Sequence, residues 1–158
     1  MGALKIGEDV KGDSVSLKLA GPIDEDANFP NIDLSSFKEI TFDFLSVTAI
    51  NSCGIREWIR WIGNIKPDSK VTYVNCPKVI IDQVNMVDGF LPVNAKIASF
   101  FVPYFCESCD NLDTKIYSDP SGIASGAVKV PPQVPCSKCK QPAEIDVIET
   151  KYFKFLKK

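Results

Sequence analysis

The stretch KEITFDFLSVTAINSCGIREWIRWI, residues 38–62, decides the fold class of this chain of 158 residues. Its first half is rich in β-branched and aromatic residues, which is typical of a buried strand, and we place that strand at residues 39–45. Its second half repeats apolar residues with helical spacing between residues 55 and 65. Asn51 or Ser52 precedes this helix and can cap it with a side-chain oxygen. The stretch therefore predicts a strand followed by an amphipathic helix.

The flanking segments continue the same alternation. Residues 14–20 alternate apolar and polar positions and predict a strand, and residues 70–76 and 95–105 predict two more. Residues 78–90 have helical spacing, whereas residues 23–37 are predicted to be loop with at most one helical turn. Two successive strand–helix–strand alternations predict an α/β layer with parallel strands.

Two CxxC pairs, CESC at residues 106–109 and CSKC at residues 136–139, are separated by 26 residues. Two thiolates three positions apart can converge on one cation when the backbone between them turns tightly. Two such turns, here called knuckles, supply a tetrahedral set of four sulfur ligands. The predicted ligands of this single structural ion are Cys106, Cys109, Cys136 and Cys139.

Zinc is the expected ion, because thiolates suit it and the chain contains no histidine. Short strands are predicted around the knuckles, at residues 114–118 and 127–130, and the layout is that of a zinc ribbon. We place the boundary between two units near residues 103–105 and expect the units to have separate cores. Tyr152, Phe155 and Leu156 indicate a short C-terminal helix that docks on another surface.

The charge, hydropathy and motif content of the chain argue against several classes of function. The net charge of −2 and the pI of about 5.2 argue against a protein that mainly neutralises nucleic-acid phosphates. The sequence has no apolar run long enough to span a bilayer and no signal-peptide pattern at its N-terminus, so we expect a cytosolic protein. Phosphate-binding glycine motifs are absent and no acid–base pair stands out, which favours a binding protein over an enzyme.

Residues 5–103 resemble a STAS domain, the sulfate-transporter and anti-sigma-factor-antagonist fold. The resemblance rests on SVSLKLAGPID at residues 14–24 and on NSCGIREWI at residues 51–59, which is similar to the D-S-S-G-L helix entrance of that family. The four-cysteine tail resembles zinc ribbons attached to some bacterial STAS-like proteins. The resemblance implies an α/β fold with a STAS-like mixed sheet and helices packed on it at residues 1–103, then a small β zinc ribbon at residues 104–158.

The resemblance also implies a regulatory module that binds a kinase-like or other signalling protein. In the family, the serine just before the glycine is phosphorylated and thereby releases the partner. Here Cys53 holds that position, and Ser52 lies one position too early. The usual switch is therefore missing. We expect the partner to contact the start of this helix and its outer side, at Ser52, Cys53, Arg56, Arg60 and Trp61.

Other interpretations stay open at this point. The four-cysteine unit could bind nucleic acid, although few basic residues lie between the knuckles. Cys53, at a helix N-terminus, could act as a redox sensor, and Cys76 ends a strand that is predicted to lie nearby. Trp61 lies at the edge of the apolar stripe, so it is either packed there or part of an exposed binding surface.

Overall fold

The computed structural model describes residues 4–92, 95–118 and 130–154. Within these ranges the first sheet contains five strands in sequence order: β1 (Lys5–Lys11), β2 (Ser14–Ile23), β3 (Glu39–Ile50), β4 (Lys70–Val74) and β5 (Ala95–Ile97). The strands β2 to β5 pair in parallel, and β1 pairs with β2 in the antiparallel sense. Helix α1 (Ser52–Ile62) links β3 to β4, and helix α2 (Lys78–Met86) links β4 to β5. The predicted α/β layer with parallel strands is confirmed.

The second sheet is antiparallel and has the strand order β7-β6-β9-β8. Its strands are β6 (Ser99–Cys106), β7 (Asn111–Ser118), β8 (Gln133–Pro135) and β9 (Pro142–Ile145). A short helix, α3 (Glu149–Tyr152), follows β9. The strand predicted at residues 114–118 is confirmed as part of β7. Two further predictions concern residues outside the described ranges. They are the strand expected to begin at residue 127 and the C-terminal helix expected to include Phe155 and Leu156.

The structure corrects three details of the sequence-based assignment. Strand β1 was not predicted. It is joined to β2 by a two-residue hairpin turn at Gly12 and Asp13, with Gly12 at φ +60°. Strand β3 continues beyond residue 45 to Ile50. The single strand expected at residues 95–105 is two strands, because β5 joins the first sheet and β6 begins the second. Apolar content alone could not reveal that change of sheet.

Helix α1 covers one face of the first sheet. Phe42 and Phe44 point from β3 toward this helix and are fully buried, whereas the intervening Asp43 points to the opposite face. Trp58 of α1 is fully buried against Phe42 and Phe44, and its ring centroid lies 4.9 Å from that of Phe42. Its Nε1 donates hydrogen bonds to the Tyr73 hydroxyl (3.3 Å) and to the Phe90 carbonyl (3.2 Å). Trp58 therefore belongs to the core of the first sheet.

The buried residues of the two sheets form one continuous cluster, so the expectation of separate cores is wrong. Phe100, Val102 and Tyr104 point inward from β6 and are fully buried in the same cluster as the residues of the first sheet. Helix α2 also contacts β6 and α3. The second sheet begins at Ser99, and the division of the chain into two domains stays a prediction.

Gly54 sets the distance between helix α1 and the end of β2. A Cβ atom at this position would lie 1.9 Å from the carbonyl oxygen of Ile23 and 2.9 Å from the nitrogen of Asp24. Both atoms belong to the backbone and cannot rotate away. Gly54 thus lets helix α1 start close to a strand, and that strand is β2.

We therefore expect Gly54→Ala to destabilise the fold strongly. Overpacking against fixed atoms costs about 3 kcal/mol or more, which lowers the melting temperature by roughly 5–10 °C in a chain of this size. Differential scanning calorimetry measures the change. The matched control is Gly7→Ala, since no atom lies within 4 Å of a Cβ built at this strand glycine. Equal melting temperatures for the two variants would contradict the tight contact.

Candidate metal centre

Two hairpins of the second sheet place the four cysteines. Cys106 ends β6, and Cys109 lies in the turn that leads to β7. Cys136 directly follows β8, and Cys139 lies in the turn that leads to β9. Because β6 and β9 are adjacent and antiparallel, the two turns lie at the same end of the sheet. The predicted grouping of these four residues is confirmed.

The four sulfur atoms all lie within 4.8 Å of one another. The Sγ atoms of Cys106 and Cys139 are 3.5 Å apart, and those of Cys109 and Cys136 are 3.6 Å apart. These distances far exceed the roughly 2.05 Å of a disulfide bond. They are near the separation of about 3.8 Å expected between sulfurs that surround one zinc ion tetrahedrally at about 2.3 Å. The residues present therefore fit a four-coordinate metal ion.

Both knuckles close with a residue in the left-handed backbone conformation. Asp110 has φ +56° and Lys140 has φ +67°, and each follows the second cysteine of its pair. Glycine is the usual residue for this conformation, and Lys140 adopts it at some cost. A hydrogen bond from the Lys140 N–H to the Cys136 carbonyl (3.0 Å) closes the second knuckle. The site thus tolerates local strain to bring its sulfurs together.

Backbone amides prepare one sulfur for metal binding. The N–H groups of Cys139 and Lys138 donate to Cys136 Sγ, and they lower the pKa of the Cys136 thiol to about 6. Desolvation and hydrogen bonds with the neighbouring sulfurs raise the pKa of Cys109 to about 12. A cation that enters the cluster must therefore displace protons, since thiolates are the ligands.

A hydrogen-bonded clamp beside the sulfurs joins the second knuckle to strand β7. The Ser137 hydroxyl donates to Asp113 Oδ1 (2.6 Å), and the Ser137 N–H donates to Asp113 Oδ2 (3.0 Å). These bonds lower the pKa of the Asp113 carboxyl, the side-chain bond being the main cause. Asn111 Nδ2 also donates to the Ser137 hydroxyl (3.3 Å) and lies 3.6 Å from Cys136 Sγ. Asp113 was not predicted from the sequence, because no spacing rule links a strand carboxylate to a distant knuckle.

We expect Asp113→Ala to weaken metal binding about tenfold, since residues that orient metal ligands typically contribute ten- to a hundredfold to affinity. Competition with a chromogenic chelator measures both the affinity and the release rate of a bound divalent ion. The matched control is Glu144→Ala, which removes an exposed carboxylate of β9 in the same sheet. If the Glu144→Ala variant released the divalent ion faster than the Asp113→Ala variant, the role assigned to the Asp113–Ser137 clamp would be wrong.

The entrance of helix α1 is a capping site. Asn51 Oδ1 accepts a hydrogen bond from the Gly54 N–H (2.9 Å), so of the two predicted caps, Asn51 and Ser52, the cap is Asn51. The Asn51 side chain also donates to Glu25 Oε2 (2.7 Å), and this bond lowers the pKa of Glu25. Ser52 is exposed and Cys53 is half-buried. The polar residues that precede α1 thus fix its first turn against the loop after β2.

The outer side of helix α1 carries the residues proposed for partner contact. Arg56 and Arg60 are exposed, and Arg60 forms an ion pair with Glu57 at 3.4 Å. Trp61 is half-buried instead: its ring stacks on Phe29 at 4.9 Å, and its Nε1 donates to the Pro30 carbonyl (3.2 Å). Of the two interpretations of Trp61, this packing favours the structural one.

Cys53 and Cys76 are both free thiols in the structure. Cys76 is fully buried, and burial raises the pKa of its thiol well above the usual value. A protonated, buried thiol reacts slowly with oxidants. Cys76 is therefore a packing residue, which argues against its taking part in redox sensing together with Cys53.

No protein-family model matches this sequence, and no curated protein matches it. The helices in the described part of the chain are too short or too polar to cross a membrane. The four-cysteine site is therefore interpreted from its own geometry.

Proposed function

We propose that the four cysteines bind one structural zinc ion. The observation that carries the proposal is the convergence of four sulfurs within 4.8 Å at the end of two hairpins. Soft thiolates suit zinc, and the chain contains no histidine that could serve as an alternative ligand. Since protein sulfurs occupy all four ligand positions, no position is left for a reactive water. The ion stabilises the fold and performs no catalysis.

Elemental analysis of protein purified without added metal tests this proposal. We expect about one zinc ion per chain, and its loss in Cys106→Ser together with a lower melting temperature. The matched control is Cys53→Ser, which lies outside the cluster and should keep the metal. Iron with a charge-transfer colour in place of zinc, or a Cys106→Ser variant that retains the ion, would contradict the proposal.

We further propose that the chain is a non-enzymatic, cytosolic regulatory module of the anti-sigma-factor-antagonist type, with a STAS-like first unit. The strand β3, the capped entrance at Asn51 and the glycine that packs on Ile23 support this interpretation. Cys53 stands where the family has its phosphorylated serine, so a serine kinase does not control this chain there. The partner is a signalling protein that contacts Arg56 and Arg60 on the outer side of α1.

Charge reversal tests the contact surface. We expect Arg60→Glu to weaken partner binding by about thirtyfold or more, because an interfacial arginine typically contributes 2 kcal/mol or more, and to leave the melting temperature unchanged. Affinity capture from the source cell identifies the partner, and calorimetry then measures binding by each variant. Lys18→Glu, on the opposite side of the sheet, is the matched control. A folded Arg60→Glu variant with full affinity would contradict the proposed surface, without affecting the zinc proposal.

A further inference from the structure

The cysteines of the four-cysteine cluster differ in their exposure to solvent. Of the six cysteines in the chain, all of which the structure describes, only Cys109 is exposed. Cys139 is half-buried, whereas Cys106 and Cys136 are fully buried. A dissolved oxidant reacts preferentially with accessible sulfur, because it must touch the atom that it oxidises. An oxidant in solution therefore meets the cluster at Cys109.

The sulfurs also form two close pairs, and each pair joins one knuckle to the other. Cys109 Sγ lies 3.6 Å from Cys136 Sγ, and Cys106 Sγ lies 3.5 Å from Cys139 Sγ. A shortening of about 1.5 Å would bring the first pair to the roughly 2.05 Å of a disulfide bond. Redox-sensitive cysteines typically combine an accessible sulfur with a neighbouring cysteine that reacts with its oxidised form. Cys109 and Cys136 have this arrangement.

Hydrogen bonds hold Cys136 beside Cys109. The Sγ of Cys136 accepts from the Lys138 N–H (3.4 Å) and from Asn111 Nδ2 (3.6 Å). The hydrogen-bonded clamp ties the same knuckle to strand β7. Because β7 leads directly out of the first knuckle, these bonds keep the buried sulfur of the second knuckle next to the exposed sulfur of the first. The pair is therefore positioned before any oxidant arrives.

We propose that the four-cysteine cluster is a peroxide-sensitive switch, in which oxidation of Cys109 releases the metal ion. The inference rests on the proposed zinc site and adds a means of regulating it. Bound zinc keeps all four sulfurs as thiolates, and thiolates are the form that peroxide oxidises. Hydrogen peroxide is the named oxidant.

The reaction has two steps. The Cys109 thiolate attacks hydrogen peroxide, the O–O bond breaks, and the products are a sulfenic acid on Cys109 and a hydroxide ion. The Cys136 thiolate then attacks the Cys109 sulfur, so that the S–S bond forms, the S–O bond breaks and a second hydroxide leaves. The two sulfurs together lose two electrons, and the peroxide gains them. No further reactant is needed.

The disulfide removes half of the ligands of the ion. Only the sulfurs of Cys106 and Cys139 remain for an ion that four sulfurs held before, so its affinity falls steeply. The new covalent bond still joins the two knuckles, and the chain therefore stays folded. What changes is the surface at this end of the sheet, which includes the exposed residues Glu107 and Lys138.

Zinc release under hydrogen peroxide tests the switch, with a chromogenic chelator to record the rate from the zinc-loaded full chain. We expect Cys109→His to keep the ion, since three cysteines and one histidine also bind zinc, and to release it about tenfold more slowly, because the exposed sulfur is gone. The matched control is Cys139→His, which keeps Cys109 and Cys136 and should release zinc at the wild-type rate. Equal rates for the wild type and Cys109→His, or equal protection by both variants, would overturn the switch.

Mass spectrometry of the peroxide-treated wild-type chain tests the pairing without any variant. We expect the disulfide between Cys109 and Cys136 to form first, at the rate at which zinc is released. A first disulfide within either CxxC pair, or one that includes Cys53, would overturn the assignment. Elemental analysis before oxidation tests the zinc site by itself. Zinc that peroxide leaves bound would overturn the switch alone, whereas a wild-type chain purified without metal would overturn both proposals.

Discussion

The backbone of Cys76 joins the two sheets, and most of the architecture depends on that junction. Its N–H donates to the Ser99 carbonyl (3.1 Å), and its carbonyl accepts from the Phe101 N–H (2.8 Å). The Ser99 hydroxyl accepts a further bond from the N–H of Asn75, which is in the left-handed conformation. Strand β6 is thereby fixed beside β4, so its inward side chains enter the core of the first unit. Cys76 itself is buried at the junction, and this burial raises the pKa of its thiol.

The side chains that follow this junction on β6 pack in the same core as those of the first sheet. Phe100 and Tyr104 are fully buried, and Tyr152 is nearly so. The side-chain hydroxyl of Tyr152 donates to the Phe101 carbonyl. The backbone carbonyl of Tyr152 accepts a hydrogen bond from Nδ2 of Asn85 on α2 (2.8 Å). The C-terminal segment therefore holds β6 and α2 together. Burial of apolar side chains in this shared cluster contributes to the stability of both sheets.

Much of this structure could be predicted from local sequence patterns, and the failures have physical causes. The cap at Asn51, the close approach at Gly54 and the four cysteines follow from residue type and spacing. The change of sheet at Ala98 and the clamp at Asp113 depend on contacts between residues distant in sequence, and no local period encodes such contacts. The packing of Trp61 against Phe29 is of the same kind. Local patterns thus predicted the helices, most of the strands and the four-cysteine group, but not the contacts that join them.

The four-cysteine cluster lies where the second sheet has the fewest hydrogen-bonded strand pairs. Strands β8 and β9 have three and four residues, and β9 pairs with β6 at only two positions in the described sheet. Hairpins this short are marginal in water. The sulfurs and the bonds from Ser137 to Asp113 fix the knuckle end, while the other end continues into α3. Since Tyr152 of α3 contacts both β6 and α2, whatever fixes the knuckle end of β9 also bears on how the C-terminal segment is held on the core. The four-cysteine cluster is therefore linked to the first sheet through the packing of that segment.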